Sequence, residues 1–299
     1  MLFRHLRYLA TLARTRHFGR AAEQCHVSQP TLSNAIRQFE EELGARLIQR
    51  GQRYEGLTRE GERVVAFANR VLAESDALRQ DLDAMSTGLK GQLRLGVVPS
   101  ASPLLALVTS RFCQKQPAVE CLTRAQTADD IARGLDDFDL DIGVTYLDDL
   151  PAGKYRSLHL YHEHLAVLTP VSGPFAEAEQ ATWAELAEVP LVLLTPEFEN
   201  RRLIDEVSRS TGSVLSPQIQ TSSMLNLSAH VRAGGWSSIV PRENFAFCNE
   251  PPGTRMIPLV EPETSHRIGL EMPDRDPPPV LANAFFASTG ELDIDLMFV

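Results

Sequence analysis

The stretch that decides the fold runs from Phe18 to Gly44, FGRAAEQCHVSQPTLSNAIRQFEEELG. Phe18, Ala21, Ala22 and Cys25 recur at i, i+3, i+4 and i+7. That spacing predicts a short helix with one small apolar stripe, and small side chains let another helix approach closely. His26-Val27-Ser28 breaks the pattern. Ser28 is suited to cap the next helix by accepting a bond from an orphan backbone N–H, and Pro30 falls in the first turn, where a missing donor costs nothing. Leu32, Ala35, Ile36, Phe39 and Leu43 give this second helix an apolar face, and Gly44 can end it as a left-handed cap. The opposite face carries Gln29, Ser33 and Arg37, with Pro30, Thr31 and Asn34 beside them and no acidic residue before Glu40. Gln pairs bidentately with adenine in the major groove, Ser is permissive, and Arg prefers guanine or phosphate. A bent helix pair whose second member offers such residues at its N-terminal end is a helix-turn-helix. The plainer alternative is a surface helix hairpin, and the flanks decide between them.

Phe3 to Thr15 reads as a first helix with Leu6, Leu9, Ala10 and Ala13 on one face. Arg4, Arg7, Arg14 and Arg16 stay exposed, as phosphate contacts or as a solvated face. After Gly44, residues 46–50 and 54–57 read as a β-hairpin that places Arg50 and Arg53 at its tip, within reach of a sugar-phosphate backbone or minor groove. Three helices and a basic hairpin make a winged helix-turn-helix. Thr58 is a candidate cap for a long helix that runs without proline to Thr87 and stops at Gly88; thirty residues span about 45 Å. Val64, Val71, Leu78 and Met85 repeat every seven residues, flanked by Phe67, Ala68, Ser75 and Leu82. Such a seam either packs on the rest of the chain or pairs two subunits, and pairing is favoured because it gives a two-fold related DNA site.

The 299 residues are enough for two or three domains. The formal net charge of −10 argues against nucleic acid until its distribution is read: residues 1–63 hold 11 Arg, no Lys and 7 acidic residues, a balance of +4, which leaves −14 for the remainder. A basic head on an acidic body suits phosphate binding at one end. Cys25, Cys113, Cys121 and Cys248 show no C-x-x-C spacing, which fits a reducing compartment. With no apolar run of spanning length and no export signal, a cytoplasmic protein without membrane contact is expected.

The run AAEQCHVSQPTLSNAIRQFEEELGARLIQR, with LTREG and the long helix after it, resembles the head of LysR-type transcriptional regulators; the likeness is strong over residues 1–87 and holds in outline beyond. It implies a winged helix-turn-helix over 1–58, a linker and dimerisation helix over 59–88, and a two-lobed, periplasmic-binding-protein-like α/β effector domain over 89–299. Lobe I would take about 91–161 and 268–299, and lobe II about 162–267. The resemblance further implies a homodimer or homotetramer on double-stranded DNA, with Ser28, Gln29, Pro30, Thr31, Ser33, Asn34 and Arg37 toward the operator and Arg50 and Arg53 on its backbone. Ile48 departs from the Phe usual in the wing, and Asn34 stands where a basic residue is common.

Beyond a polar break at 88–92, Leu93 to Val98 reads as a buried parallel strand, followed by Pro99-Ser100-Ala101-Ser102 and a helix to Gln116. A strand end meeting a helix N-terminus offers backbone N–H groups, hydroxyls and a positive dipole, which suits a small anion. Further βα units put strands near 119–123 and 140–145, and ligands bind outside the carboxyl ends of such strands, which points to Ser100, Ser102, Thr127, Thr145 and Tyr146. Residues 161–169 are expected to cross into a second lobe, with strands at 191–194, 219–223 and 236–241, and 265–272 to cross back. The expected inter-lobe ligand is a small organic anion held by Ser100, Ser102, Thr145 and Thr221, by the guanidinium of Arg201 or Arg202, and by Phe198 as an apolar wall. For each hydroxyl, simple helix capping is the alternative. Some members of the family resembled carry Arg at the place of Tyr146, where it grips a carboxylate; with Tyr the ligand is smaller or held more by hydroxyls.

His159, His162 and His164 in HLYHEH suggest a metal, yet strand alternation puts His159 on the other face, and no Cys or downstream His completes a tetrahedron. There is no G-x-S-x-G, P-loop, G-x-G-x-x-G or H-E-x-x-H. No metal, cofactor or enzymatic activity is therefore expected. An α/β enzyme with an accessory DNA-binding head lacks a catalytic constellation, and a transport module lacks an export signal.

Overall fold

The computed structural model describes residues 3–49, 54–148, 153–246 and 249–294. The chain forms two compact units that divide at Gly88. The first contains α1 (Phe3–Thr15), α2 (Phe18–Gln24), α3 (Gln29–Leu43) and α4 (Arg59–Thr87). Helices α2, α3 and α4 each begin where a side chain caps a backbone N–H. Ser28 Oγ accepts the Thr31 N–H at 3.3 Å, Thr58 Oγ1 accepts the Gly61 N–H at 3.0 Å, and Gly44 ends α3 at φ 65°. The face of α1 is turned slightly from the expected one: Leu6, Leu9 and Leu12 are buried, with His5 and Thr11, while Ala13 is half-buried.

Two apolar clusters hold this head. Leu12, Ala21, Ala22, Leu32 and Ile36 seat α3 on α1 and α2. Leu6, Leu9, Phe39, Leu47 and Ala68 join α1, α3 and the near half of α4, with Val64 and Val71 packed against them. The seven-residue seam is thus divided: its first turns belong to the head, whereas Leu78, Leu82 and Met85 are 60%, 59% and 86% exposed. Leu43, expected on the apolar face of α3, is exposed. Among the described residues the expected hairpin shows one antiparallel bridge, Ile48 with Leu57, flanked by bonds from Gln49 N to Gly56 O and from Thr58 N to Leu47 O. Arg50 and Arg53 lie outside the described residues.

The feature that fixes α3 against this strand is the buried carboxylate of Glu40. Its Oε1 accepts the N–H groups of Leu47 at 2.7 Å and Ile48 at 3.2 Å, and its Oε2 faces Arg46 at 3.4 Å. Behind the strand, Gly61 approaches so closely that an added Cβ would stand 2.0 Å from Leu47 O.

The second unit contains β1 (Gly91–Val97), α5 (Ser102–Lys115), β2 (Val119–Ala125), α6 (Ala128–Asp136), β3 (Ile142–Tyr146) and β4 (Tyr155–Pro170). It continues with β5 (Ala181–Thr182), α7 (Trp183–Leu186), β6 (Val192–Leu194), α8 (Glu199–Ser210), β7 (Ile219–Thr221), α9 (Met224–Ala233) and β8 (Ser238–Pro241), and closes with β9 (Thr254–Val260), β10 (Ser265–Pro273) and α10 (Val280–Gly290). One sheet runs β2-β1-β3-β10-β4-β9-β5, with β8 also on β4, and β6 and β7 pair separately. The strand β4 begins six residues before the expected crossing. Its first part pairs with β10 in a core with α5, α6 and α10, and its last part pairs with β8 and β9 in a second core around Trp183 and Ile239. No helix among the described residues is long and apolar enough to cross a membrane.

Replacing Glu40 by Ala leaves two backbone donors without their acceptor, a cost of about 2 kcal/mol. The amides of Leu47 and Ile48 should then exchange with solvent about tenfold or more faster in the full chain, with Glu40→Gln nearer to wild type; unchanged exchange would remove Glu40 from this role.

Candidate functional site

On α3, Gln29, Pro30, Thr31, Asn34 and Arg37 are exposed and Ser33 is half-buried, while Leu32, Ile36 and Phe39 are buried on the other side. Ser28, also exposed, is held by Thr31 Oγ1 at 2.8 Å as well as by its capping bond. The seven residues named here from the sequence therefore share one solvent-facing surface, with the positive end of the helix dipole at its start. Such a surface can dock on phosphate and present side chains to base edges.

In the second unit, the C-terminal ends of β1, β2 and β3 open onto a small cleft, lined among others by Ser100, Gln126, Thr127, Tyr146, Phe198 and Asn200. Of the effector residues expected from the sequence, Ser100, Thr127, Tyr146 and Phe198 line it; Ser102, Thr145, Arg201, Arg202 and Thr221 do not. Thr127 caps α6, accepting from the Asp130 N–H at 3.1 Å, and Thr221 accepts from the Ser223 N–H at 3.3 Å. Arg201 is buried and committed, donating to Leu194 O at 2.8 Å, Gln220 Oε1 at 3.0 Å and Asp205 at 2.8 Å. Arg202 pairs with Glu199 at 2.6 Å and Asp129 at 3.1 Å. The expected guanidinium clamp is thus not presented to the cleft, because both side chains already have protein carboxylates.

What the sequence reading missed is Glu163, 0% exposed behind the cleft wall. Tyr146 donates its hydroxyl to Glu163 Oε1 at 2.8 Å, and Ser100 Oγ lies 3.4 Å from the Tyr146 oxygen. Glu163 Oε2 and Asn200 Nδ2 have no hydrogen-bond partner, nor have Gln126 Oε1 and the buried Thr145 Oγ1. Burial pushes the Glu163 carboxyl up to about 7, against the pull of Tyr146 and Ser100, and nearby Glu243 pushes it further. Tyr146 is driven well above its ordinary value, first by burial and then by Glu163.

The three histidines fall differently from simple alternation. The register of β4 against β10 slips between Tyr161 and His159, so Leu160 and Tyr161 are both buried. That bulge brings His159 and His162 to the same exposed side, with ring centroids 4.6 Å apart, and His164 turns to Glu243 at 2.9 Å. No group of three or more His, Cys, Asp or Glu among the described residues is placed to hold a metal.

Residues 3–62 match the family described as bacterial regulatory helix-turn-helix protein, lysR family, and residues 86–292 match the LysR substrate binding domain. The chain is 31% identical over 272 residues to the DNA-binding transcriptional dual regulator OxyR of Escherichia coli K12, covering 90% of this chain and 88% of that one. It is 30% identical over 276 residues to an HTH-type transcriptional regulator, YnfL, of the same strain, covering 90% and 91%. Among solved structures, a full-length OxyR variant from Pseudomonas aeruginosa superposes with a TM-score of 0.78 at 25% identity over 98% of this chain and 96% of that one. Full-length CbnR, solved with its target DNA, shares the fold with a TM-score of 0.68 at 22% identity over 97% and 99%.

A carboxyl whose value rises on folding holds its proton more tightly in the native state. Its contribution is therefore most favourable below about 4.5 and is lost as pH climbs through about 7. A rise of that size corresponds to about 3 kcal/mol. The melting temperature of Glu163→Gln relative to wild type should increase between pH 5 and pH 8.5; a difference independent of pH would mean that Glu163 is ionised throughout.

Proposed function

Because the chain belongs to the LysR family of DNA-binding transcriptional regulators, and is not an enzyme, we propose that it reads an operator with α3 and adjusts that contact when a small molecule occupies the cleft of its second unit. The observation that carries the reading is the division of α3 into a buried apolar side and an exposed side bearing Gln29, Ser33, Asn34 and Arg37. Gln29 and Ser33 discriminate bases, Arg37 takes guanine or phosphate, and Arg50 and Arg53 add backbone contacts. Exposed Leu78, Leu82 and Met85 at i, i+4 and i+7 on α4 support pairing of two chains. A pair presents two reading helices to a two-fold related site in the cytoplasm, where the chromosome is.

The orphaned polar atoms around the cleft support its role as a ligand site, since buried groups of this kind ordinarily find a partner. Anisotropy titrations on duplexes from the DNA upstream of the protein's own gene test the contacts. Gln29→Ala and Ser33→Ala should narrow the gap between specific and random duplex by about tenfold, as expected for loss of a base contact of ~1–3 kcal/mol. Arg50→Ala with Arg53→Ala should weaken all duplexes alike. The reverse pattern would overturn the assignment, and indifference of the wild-type chain to every duplex would overturn the reading.

A further inference from the structure

We infer that this cleft takes a small ligand with a hydrogen-bond-donating nitrogen, a short-chain amine in class, and that Glu163 is the positioning residue that selects it through Tyr146 and Ser100. The inference rests on the reading of the cleft as the effector site and replaces the anion expected there. Three observations carry it. None of the side chains lining the cleft is basic; Glu199 is the charged one among them, and Arg201 and Arg202 are held by Asp205, Glu199 and Asp129. Of the helix N-termini at the cleft, those of α6 and α8 already carry Asp129, Asp130 and Glu199 in their first turns, and that of α5 alone is free of acidic residues.

The second observation is the direction of the hydrogen bonds. Tyr146 has one hydroxyl proton and gives it to Glu163 Oε1, so in the 3.4 Å pair with Ser100 the tyrosine oxygen accepts and Ser100 donates. Ser100 then turns lone pairs to the cleft. Gln126 Oε1 adds a buried acceptor without a partner, while Asn200, whose Nδ2 is the unpartnered donor, lies beside Glu163 and is drawn to its carboxylate. Among the lining side chains, the acceptors left for a ligand outnumber the one unpartnered donor, Asn200 Nδ2.

The third is the lining itself: Val98, Leu194 and Phe198 supply an apolar wall for a short carbon chain. The groups that face Glu163 are Tyr146 on β3, Ser100 in the turn before α5, Asn200 on α8, Glu243 after β8, Tyr161 on its own strand and, across the ladder on β10, His266, whose imidazole burial pushes toward the neutral form. Selection for a donor should therefore strengthen as Glu163 ionises.

Three probes of matched size, butylammonium, butyramide and butyrate, separate the possibilities by calorimetric titration of the full-length chain at constant ionic strength. At pH 8 butylammonium should bind about tenfold or more tighter than butyrate, the order of effect of one charge-assisted hydrogen bond. That preference should shrink to about twofold in Glu163→Gln and at pH 5.5, and Ser100→Ala should weaken all three. Tyr146→Phe breaks the same relay and gives the same loss of preference if Glu163→Gln does not fold. Butyrate binding as tightly as butylammonium, and lost in Ser100→Ala, would overturn the amine class and leave the cleft as the effector site. No binding by any probe, or binding indifferent to Ser100→Ala, would remove both.

Discussion

A single buried carboxylate orders the reading head. Glu40 sits at the C-terminal half of α3 and takes the backbone N–H groups of Leu47 and Ile48, which ties the helix to the strand that follows it. Gly61 lets the first turn of α4 close over that strand from behind. With the strand gripped from both sides and Leu32, Ile36 and Phe39 sunk between α1, α2 and α4, α3 has no freedom to roll, and its polar face is held outward. A base contact depends on such fixation, because a bidentate bond tolerates little error in position.

The second unit uses buried charge differently. At Glu40 the carboxylate is paired with donors that never change. At Glu163 it is left with one free oxygen behind a cleft, in contact with a tyrosine and near a serine and an amide that line that cleft. Burial of this kind is costly unless a role offsets it. It also connects the two cores, because β4 carries Glu163 between the stretch paired with β10 and the stretch paired with β8 and β9.

How much of this could be read from residues alone follows from where the signals are local. Helix caps are local, so Ser28, Gly44 and Thr58 placed α3 and α4 to within a residue or so. The face of α3 followed from period and was correct for Leu32, Ile36 and Phe39; Leu43 failed because the last turn of α3 runs past the core. Strands fared worse where their partners are distant. β9 carries Pro258 and β5 is two residues long, so neither showed as a strand. A bulge at Leu160 defeated the alternation argument for His159, and the same stretch hid Glu163 among polar neighbours. Arg201 and Arg202 were read as ligand-binding because sequence shows a charge but not the Asp205, Glu199 and Asp129 that already occupy it.

The claim on which the rest stands is that the exposed face of α3 meets duplex DNA through phosphate-neutralising contacts supplemented by base readout. The affinity of the full-length chain for a specific duplex, measured across a salt series, tests this most directly. The account predicts a straight, steeply falling plot of log affinity against log salt, with a slope of magnitude about 4 or more for a pair of heads, and specific binding that outlasts binding to random duplex as salt rises. Affinity that is flat with salt, or falls identically for specific and random duplex, would contradict it.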